Sequence, residues 1–241
     1  MAFCNNNAPC GDECGRQDDH GGGCNCRSSK CSLCCTGFGS SVQTITTLNA
    51  AAQEWIQTFT GRAYHPLAPR VEDIVIEDIA HALAYQCRFT GHTRGFYSVA
   101  QHSVLIALVL PKELALEGLL HDASEAYLLD LARPVKYHPA LAQYRVLEDS
   151  NMQAIRQAFA LRDSEPDEVK AADKRMLPTE RRSLMRPCPV GYKWQPTPEP
   201  YDMHITPWSP DRAEQMFLAM ARLLRPSGRA GSRKAWGSLR D

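Results

Sequence analysis

The sequence predicts an all-α protein, a bundle of amphipathic helices preceded by an irregular, cysteine-rich segment. Apolar residues recur at three- and four-residue spacing along most of the 241 residues, with no run of strand-like alternation. Helix start signals punctuate the same stretch: Ser98-x-x-Gln101 has capping-box form, and Ser164-x-Pro166 and Ser209-Pro210 place proline in a first turn. Hydrophobic content of 44% and charged content of 22% are those of an ordinary globular chain with one substantial core.

Residues 1–40 stand apart. They hold eight of the ten cysteines and almost no large apolar side chains, so only a staple could offset their ordering entropy. Cys31-x-x-Cys34 has the spacing of a structural zinc site, the alternative being a tail without fixed structure. From Ser41 the composition becomes globular, and 41–225 is the expected domain.

Within it, Asn49 to Phe59 has helical character, with Ala51, Trp55, Ile56 and Phe59 on one side, ended by Thr60-Gly61-Arg62. Ile76 to Tyr85 is a second expected helix, with Glu77 and Asp78 suited to its N-terminal dipole. A loop dense in Arg88, His92, Arg94 and Tyr97 leads to the helix beginning after Ser98. That helix is apolar nearly all round and therefore expected to be buried. Lys112 to Leu128 reads as the next helix, Pro139 opens another reaching Phe159, and Pro166 a third carrying Val169, Ala172, Asp173 and Met176 on one side. Arg186 to Pro207 reads as an ordered irregular loop. The last helix runs through Met216, Phe217, Met220 and Leu224, and 226–241 as a flexible basic tail.

The chemistry concentrates in HDASEAYLLD. At about 100° per residue, Leu116, Leu119, Leu120, Ala123 and Tyr127 share one arc, while His121, Asp122 and Glu125 fall together opposite. An imidazole and two carboxylates on one side of a helix form either a solvent face or a metal-binding cluster. His102, one turn into an apolar helix, and Asp173, a carboxylate among apolar neighbours, favour the second reading, because a buried charge needs a cation or a metal. Equal numbers of basic and acidic residues, 27 each, give no reason to expect nucleic acid or an anionic membrane as partner. No apolar run approaches the ~20 residues of a membrane span. The N-terminus lacks an export-type pattern, so a cytoplasmic protein is expected (host cytoplasm if phage-encoded), its oligomeric state open.

These blocks carry a family resemblance. YSVAQHSVLIA around His102, HDASEAYLLDLARPVK from His121 and AADKRMLPTE around Asp173 resemble the HD-domain metal-dependent phosphohydrolases, with their H…HD…D motif. The branch is that of bacterial 5′-deoxynucleotidases and related phage-encoded hydrolases, which WIQTFTGR, IEDIAHALAYQCRFTGH and ITPWSP also resemble. The resemblance implies an HD helical bundle in which His102, His121, Asp122 and Asp173 hold one divalent transition metal (Co, Mn, Zn or Fe) between helices. It implies a general-base role for Glu125, a water- or leaving-group-positioning role for Asp130, and phosphate binding by Arg88. His92, Arg94 and Lys136 are further phosphate candidates. The implied substrate is a deoxynucleotide, either a monophosphate cleaved to nucleoside and phosphate or a triphosphate (dATP among them) releasing triphosphate. A member of another class, a non-catalytic metal-binding interaction protein, would have no need of Glu125. The chain departs from the pattern at Gln101, where an acidic residue is usual, and at Phe89, where a tryptophan is usual; both bear on base and sugar selection.

Overall fold

The computed structural model describes residues 54–194, 197–225 and 231–240. The cysteine-rich head, with Cys31 and Cys34, and residues 49–53 lie outside the described residues.

The first described element corrects the expected helix. Ile56–Gln57 (β1) pairs antiparallel with Ala63–Tyr64 (β2). Gly61, at φ 81°, makes the return tight, and its N–H donates to the Thr58 carbonyl at 2.9 Å. Asp78 fixes the turn by accepting from the Thr60 N–H at 2.7 Å and the Thr60 hydroxyl at 3.0 Å. Trp55, Ile56 and Phe59 remain exposed, so the apolar spacing read as a helix face buries nothing among the described residues.

The rest is helical, as the periodicity predicts. Ile76–Tyr85 (α1), Val99–Val109 (α2), Lys112–Leu120 (α3) and Pro210–Leu224 (α8) pack around the larger core, with α8 against all three of the others. Beyond the one-turn helix Arg133–Lys136 (α5), Ala142–Phe159 (α6) adds Ala154, Ile155, Ala158 and Phe159 to that core. Asp167–Leu184 (α7) forms a second cluster, where Val169, Ala172, Met176 and Leu184 meet Tyr97, Ile106 and Ile205. Helix α2 lies between the clusters. Val99, Ala100, Val104 and Ala107 face one and Ile106 the other, which explains its apolar circumference. Each fully buried Ile or Leu contributes ~1.5–3 kcal/mol.

Gly118 brings α3 against α2. A Cβ there would lie 2.4 Å from Leu110 Cδ1 and 3.0 Å from Ile106 Cγ2, so the bare backbone permits the approach.

The expected single helix from Lys112 to Leu128 is interrupted. Helix α3 stops at Leu120, and Glu125–Leu128 (α4) follows a turn whose N–H groups reach back three residues: Ala123 to Leu120 (3.1 Å) and Glu125 to Asp122 (3.0 Å). Hydrogen bonds that close over three residues wind the chain more tightly than an α-helix, so residues beyond the turn face differently from those of an unbroken helix. Glu125 consequently turns inward, 5% exposed.

The C-terminal stretch also differs from expectation. Ala235, Trp236 and Leu239 are buried in the main core, and Trp236 meets the Phe159 ring edge-on at 5.1 Å. The Ile76 N–H donates to the Ala235 carbonyl and the Ser232 N–H to Ala158, both at 2.7 Å. A large aromatic surface outweighs the flanking glycines and basic residues. Among the described residues no helix is long and apolar enough to cross a membrane.

Candidate metal centre

Helix α2, the turn after α3 and helix α7 bring their polar residues to one point. His102 Nε2 lies 3.2 Å from His121 Nε2 and 3.6 Å from Asp122 Oδ2, and His121 Nε2 lies 3.2 Å from the same carboxylate oxygen. These three donor atoms fall within 4.8 Å of one another, a triad able to hold a metal ion. Asp173 approaches from α7, with Oδ1 3.3 Å from His102 Nε2. Its side chain is 42% exposed, so it occupies the rim rather than the packed interior its apolar neighbours suggested.

The other nitrogen of each ring is already engaged. His121 Nδ1 is 2.8 Å from the Gly118 carbonyl, and His102 Nδ1 is 2.6 Å from Glu180 Oε1. A carbonyl can only accept, so His121 carries a proton on Nδ1, and the Glu180 carboxylate fixes the same tautomer for His102. With Nδ1 committed in this way, loss of the Nε2 proton to an incoming cation would leave both rings directing an Nε2 lone pair into the cluster, the arrangement that metal-ligating histidines adopt. The donor set therefore fits a cation.

Glu180 is the residue the sequence reading missed. Fully buried, it also accepts from the Tyr97 hydroxyl at 2.8 Å and faces Arg88 Nε at 3.4 Å. One carboxylate thus holds His102 and the guanidinium beside it. The available signal was its place seven residues, two turns, beyond Asp173 on the same helix.

The electrostatics are those of a strongly coupled cluster. Burial opposes a charge on His121, but the adjacent Asp122 outweighs it and raises the imidazole to about 10. Burial pushes the other way at the carboxylates: Asp122 is nonetheless held well below the usual range by His121, His102 and Arg88, and Asp173 is lowered to about 2 by its bond to His102. Glu125 behaves oppositely. Burial, then Asp122 and Asp130, push it well above the ordinary carboxylate value, and its Oε2 is buried without a hydrogen-bond partner. Asp130 is raised mainly by burial, which Arg88 partly offsets.

The phosphate candidates separate. The Arg88 guanidinium is 13% exposed, with Nη1 3.3 Å from Asp122 Oδ2, directly beside the donors. Lys136 is half-buried and its ammonium is 2.5 Å from Glu148. Arg94 donates to the Ser183 carbonyl at 2.5 Å and its backbone N–H to Leu184 at 2.9 Å, anchoring the loop to the end of α7. His92 is exposed, and among the described residues its N–H bond to the Phe89 carbonyl keeps it within its own loop. Phe89 and Thr90 hold φ of 55° and 54°, left-handed conformations uncommon for such side chains, immediately after Arg88.

Gln101 bridges helix α2 to the segment that precedes α8. Its Nε2 donates to the Thr206 carbonyl at 2.9 Å, and its Oε1 accepts from the Trp208 N–H at 2.8 Å. An ionised acid could not make the first bond. The amide straps the ITPWSP segment onto α2.

No family model matches the chain. It is 39% identical over 167 residues to the uncharacterized protein YfdR of Escherichia coli, an alignment covering 68% of this chain and 92% of that protein. It is 38% identical over 130 residues to the uncharacterized protein RCAP_rcc00048 of Rhodobacter capsulatus, covering 50% of this chain and 65% of that protein.

Proposed function

We propose that this chain, which belongs to the YfdR family, is a metal-dependent phosphohydrolase that cleaves the phosphate ester of deoxynucleotides. The observation that carries the proposal is the convergence of His102 Nε2, His121 Nε2 and Asp122 Oδ2, with Asp173 at the rim and a buried arginine 3.3 Å from the shared carboxylate. A mixed imidazole and carboxylate set suits Mn, Co, Zn or Fe better than Ca. When bound, such a cation supplies Lewis acidity toward a phosphoryl oxygen and acidifies an attacking water.

The chain's own residues do the rest. Arg88, anchored by Glu180 on one side, offers its remaining N–H groups to phosphoryl oxygens. Glu125, with its proton affinity raised and one oxygen lacking a protein partner, is fitted to take a proton from the attacking water. Asp130, partly buried nearby, orients water or the leaving oxygen. The choice of deoxynucleotide rests on the resemblance of YSVAQHSVLIA, HDASEAYLLDLARPVK and AADKRMLPTE to 5′-deoxynucleotidases.

The test incubates the full chain with Mn, Co or Zn and a panel of deoxynucleoside and nucleoside monophosphates and dNTPs, scoring phosphate and triphosphate separately. Phosphate released from monophosphates, and abolished in Asp122→Ala, is the expected result. Triphosphate as sole product would instead assign a dNTP triphosphohydrolase. Absence of metal-dependent turnover on every nucleotide would sink the proposal.

A further inference from the structure

Glu125 and Asp130 are separated by one turn of helix and a strained residue. Leu129 holds φ 81° and ψ 149°, a region nearly reserved for glycine that costs ~1–3 kcal/mol and persists only where the surroundings over-determine it. Three contacts do so here. The Leu129 N–H donates to the Glu125 carbonyl at 2.9 Å. The Tyr144 hydroxyl donates into the carbonyls of Leu128 and Leu129 at 3.0 and 2.8 Å. The third is the side chain of Gln86, whose Nε2 donates to the Glu125 carbonyl at 2.8 Å while its Oε1 accepts from the Asp130 N–H at 3.2 Å.

From this bracket we infer that Gln86 is a positioning residue for the reaction, fixing Glu125 and Asp130 relative to each other and to the metal donors. The inference rests on the phosphohydrolase reading above. A donor and an acceptor at the end of one planar group are what the two backbone sites require; glutamate cannot donate, and asparagine is one methylene shorter. The Gln86 backbone is itself held by the frame of the site. Its carbonyl accepts from the Val99 N–H at 3.1 Å, and two residues on, the Arg88 N–H donates to the Tyr97 carbonyl at 2.8 Å. Residues 86–88 therefore run beside the start of the His102 helix, and the amide transmits that register to the carboxylates. Neither Gln86 nor Tyr144 touches the donor cluster in any contact described, so their effect passes through the acids.

The test compares wild type, Gln86→Leu and Gln86→Glu as full chains with Mn, on a nucleotide the wild type turns over. A displacement of about 1 Å can cost on the order of 10²-fold, so Gln86→Leu is expected to lower kcat about 10- to 100-fold. KM and Mn affinity should stay within about twofold. Amide hydrogen exchange should accelerate at Asp130 in Gln86→Leu but not in Gln86→Glu, which keeps the acceptor. The glutamate variant, with a smaller fall in kcat, also covers failure of the leucine variant to fold. An unchanged kcat in folded Gln86→Leu overturns the assignment. So does a loss of Mn affinity that accounts for the loss of rate. Absence of wild-type turnover on any nucleotide is a separate result: it overturns the phosphohydrolase reading and the positioning role with it.

Discussion

Replacing Glu180 by glutamine keeps the side-chain volume and removes the charge that three partners share. His102 Nδ1 at 2.6 Å, the Tyr97 hydroxyl at 2.8 Å and Arg88 Nη2 at 3.5 Å all face this carboxylate as donors. A glutamine has one acceptor oxygen, so its amide N–H groups must point at a hydroxyl, a guanidinium or the ring. Breaking a buried ion pair from one side costs ~3–5 kcal/mol. Here Arg88 retains Asp122 at 3.3 Å, which places the expected loss near the lower bound, ~3 kcal/mol. At ~2–4 °C per kcal/mol for a domain of this size, the melting temperature of the metal-free protein should fall by roughly 6–12 °C. If His102 is a ligand as proposed, loss of the partner that fixes it should weaken metal affinity about 10- to 100-fold. Calorimetry at neutral pH reads the first effect, and a Mn titration of the same samples reads the second. A melting temperature within about 2 °C of wild type, with unchanged Mn affinity, would refute the role given to Glu180.

Other outcomes follow from the same geometry. Glu125→Gln should lower kcat about 10²- to 10⁴-fold while Mn binds as in wild type; lost Mn binding would make Glu125 a ligand rather than a base. In the metal-free chain His121 is raised from the ordinary value near 6.5 to about 10. Its charge therefore stabilises the fold fully below pH ~6.5 and ceases to do so as pH rises through about 10, so the melting temperature should decline across that window. His121→Gln should abolish that decline, and a decline that survives it would assign the effect elsewhere. Trp236→Ala should cost ~3–5 kcal/mol in denaturant unfolding; a change under ~0.5 kcal/mol would return residues 231–240 to the status of an unstructured tail.

Much of this organisation was legible because helices advertise themselves through spacing. Ile76–Tyr85 matches the predicted bounds, and the Ser98 hydroxyl accepts from the Gln101 N–H at 3.1 Å as its capping pattern requires. The convergence of His102, His121 and Asp122 was legible through residue type, since imidazoles and carboxylates in a helical, apolar setting need a reason to be there. What spacing could not reveal was local geometry set by contacts distant in sequence. Thr60 is held by Asp78, 18 residues away, so an apolar stretch read as helix becomes a hairpin. The three-residue turn at Ala123 alters which way Glu125 faces, and no pattern in HDASE distinguishes it from an α-helical turn. Glu180 and Gln86 were invisible for a related reason. Their partners lie at residues 88, 97, 102, 125 and 130, and a lone glutamate or glutamine on a helix or at its end has the appearance of surface.

The proposed cation site takes its donors from His102, His121, Asp122 and Asp173. Titration of the full chain with Mn²⁺, following the free-ion resonance, tests it most directly, because manganese favours imidazole and carboxylate over the thiolates of residues 1–40. One Mn²⁺ should bind per chain in wild type and none in folded Asp122→Ala. Equal binding in both proteins, or no binding in wild type, would contradict it.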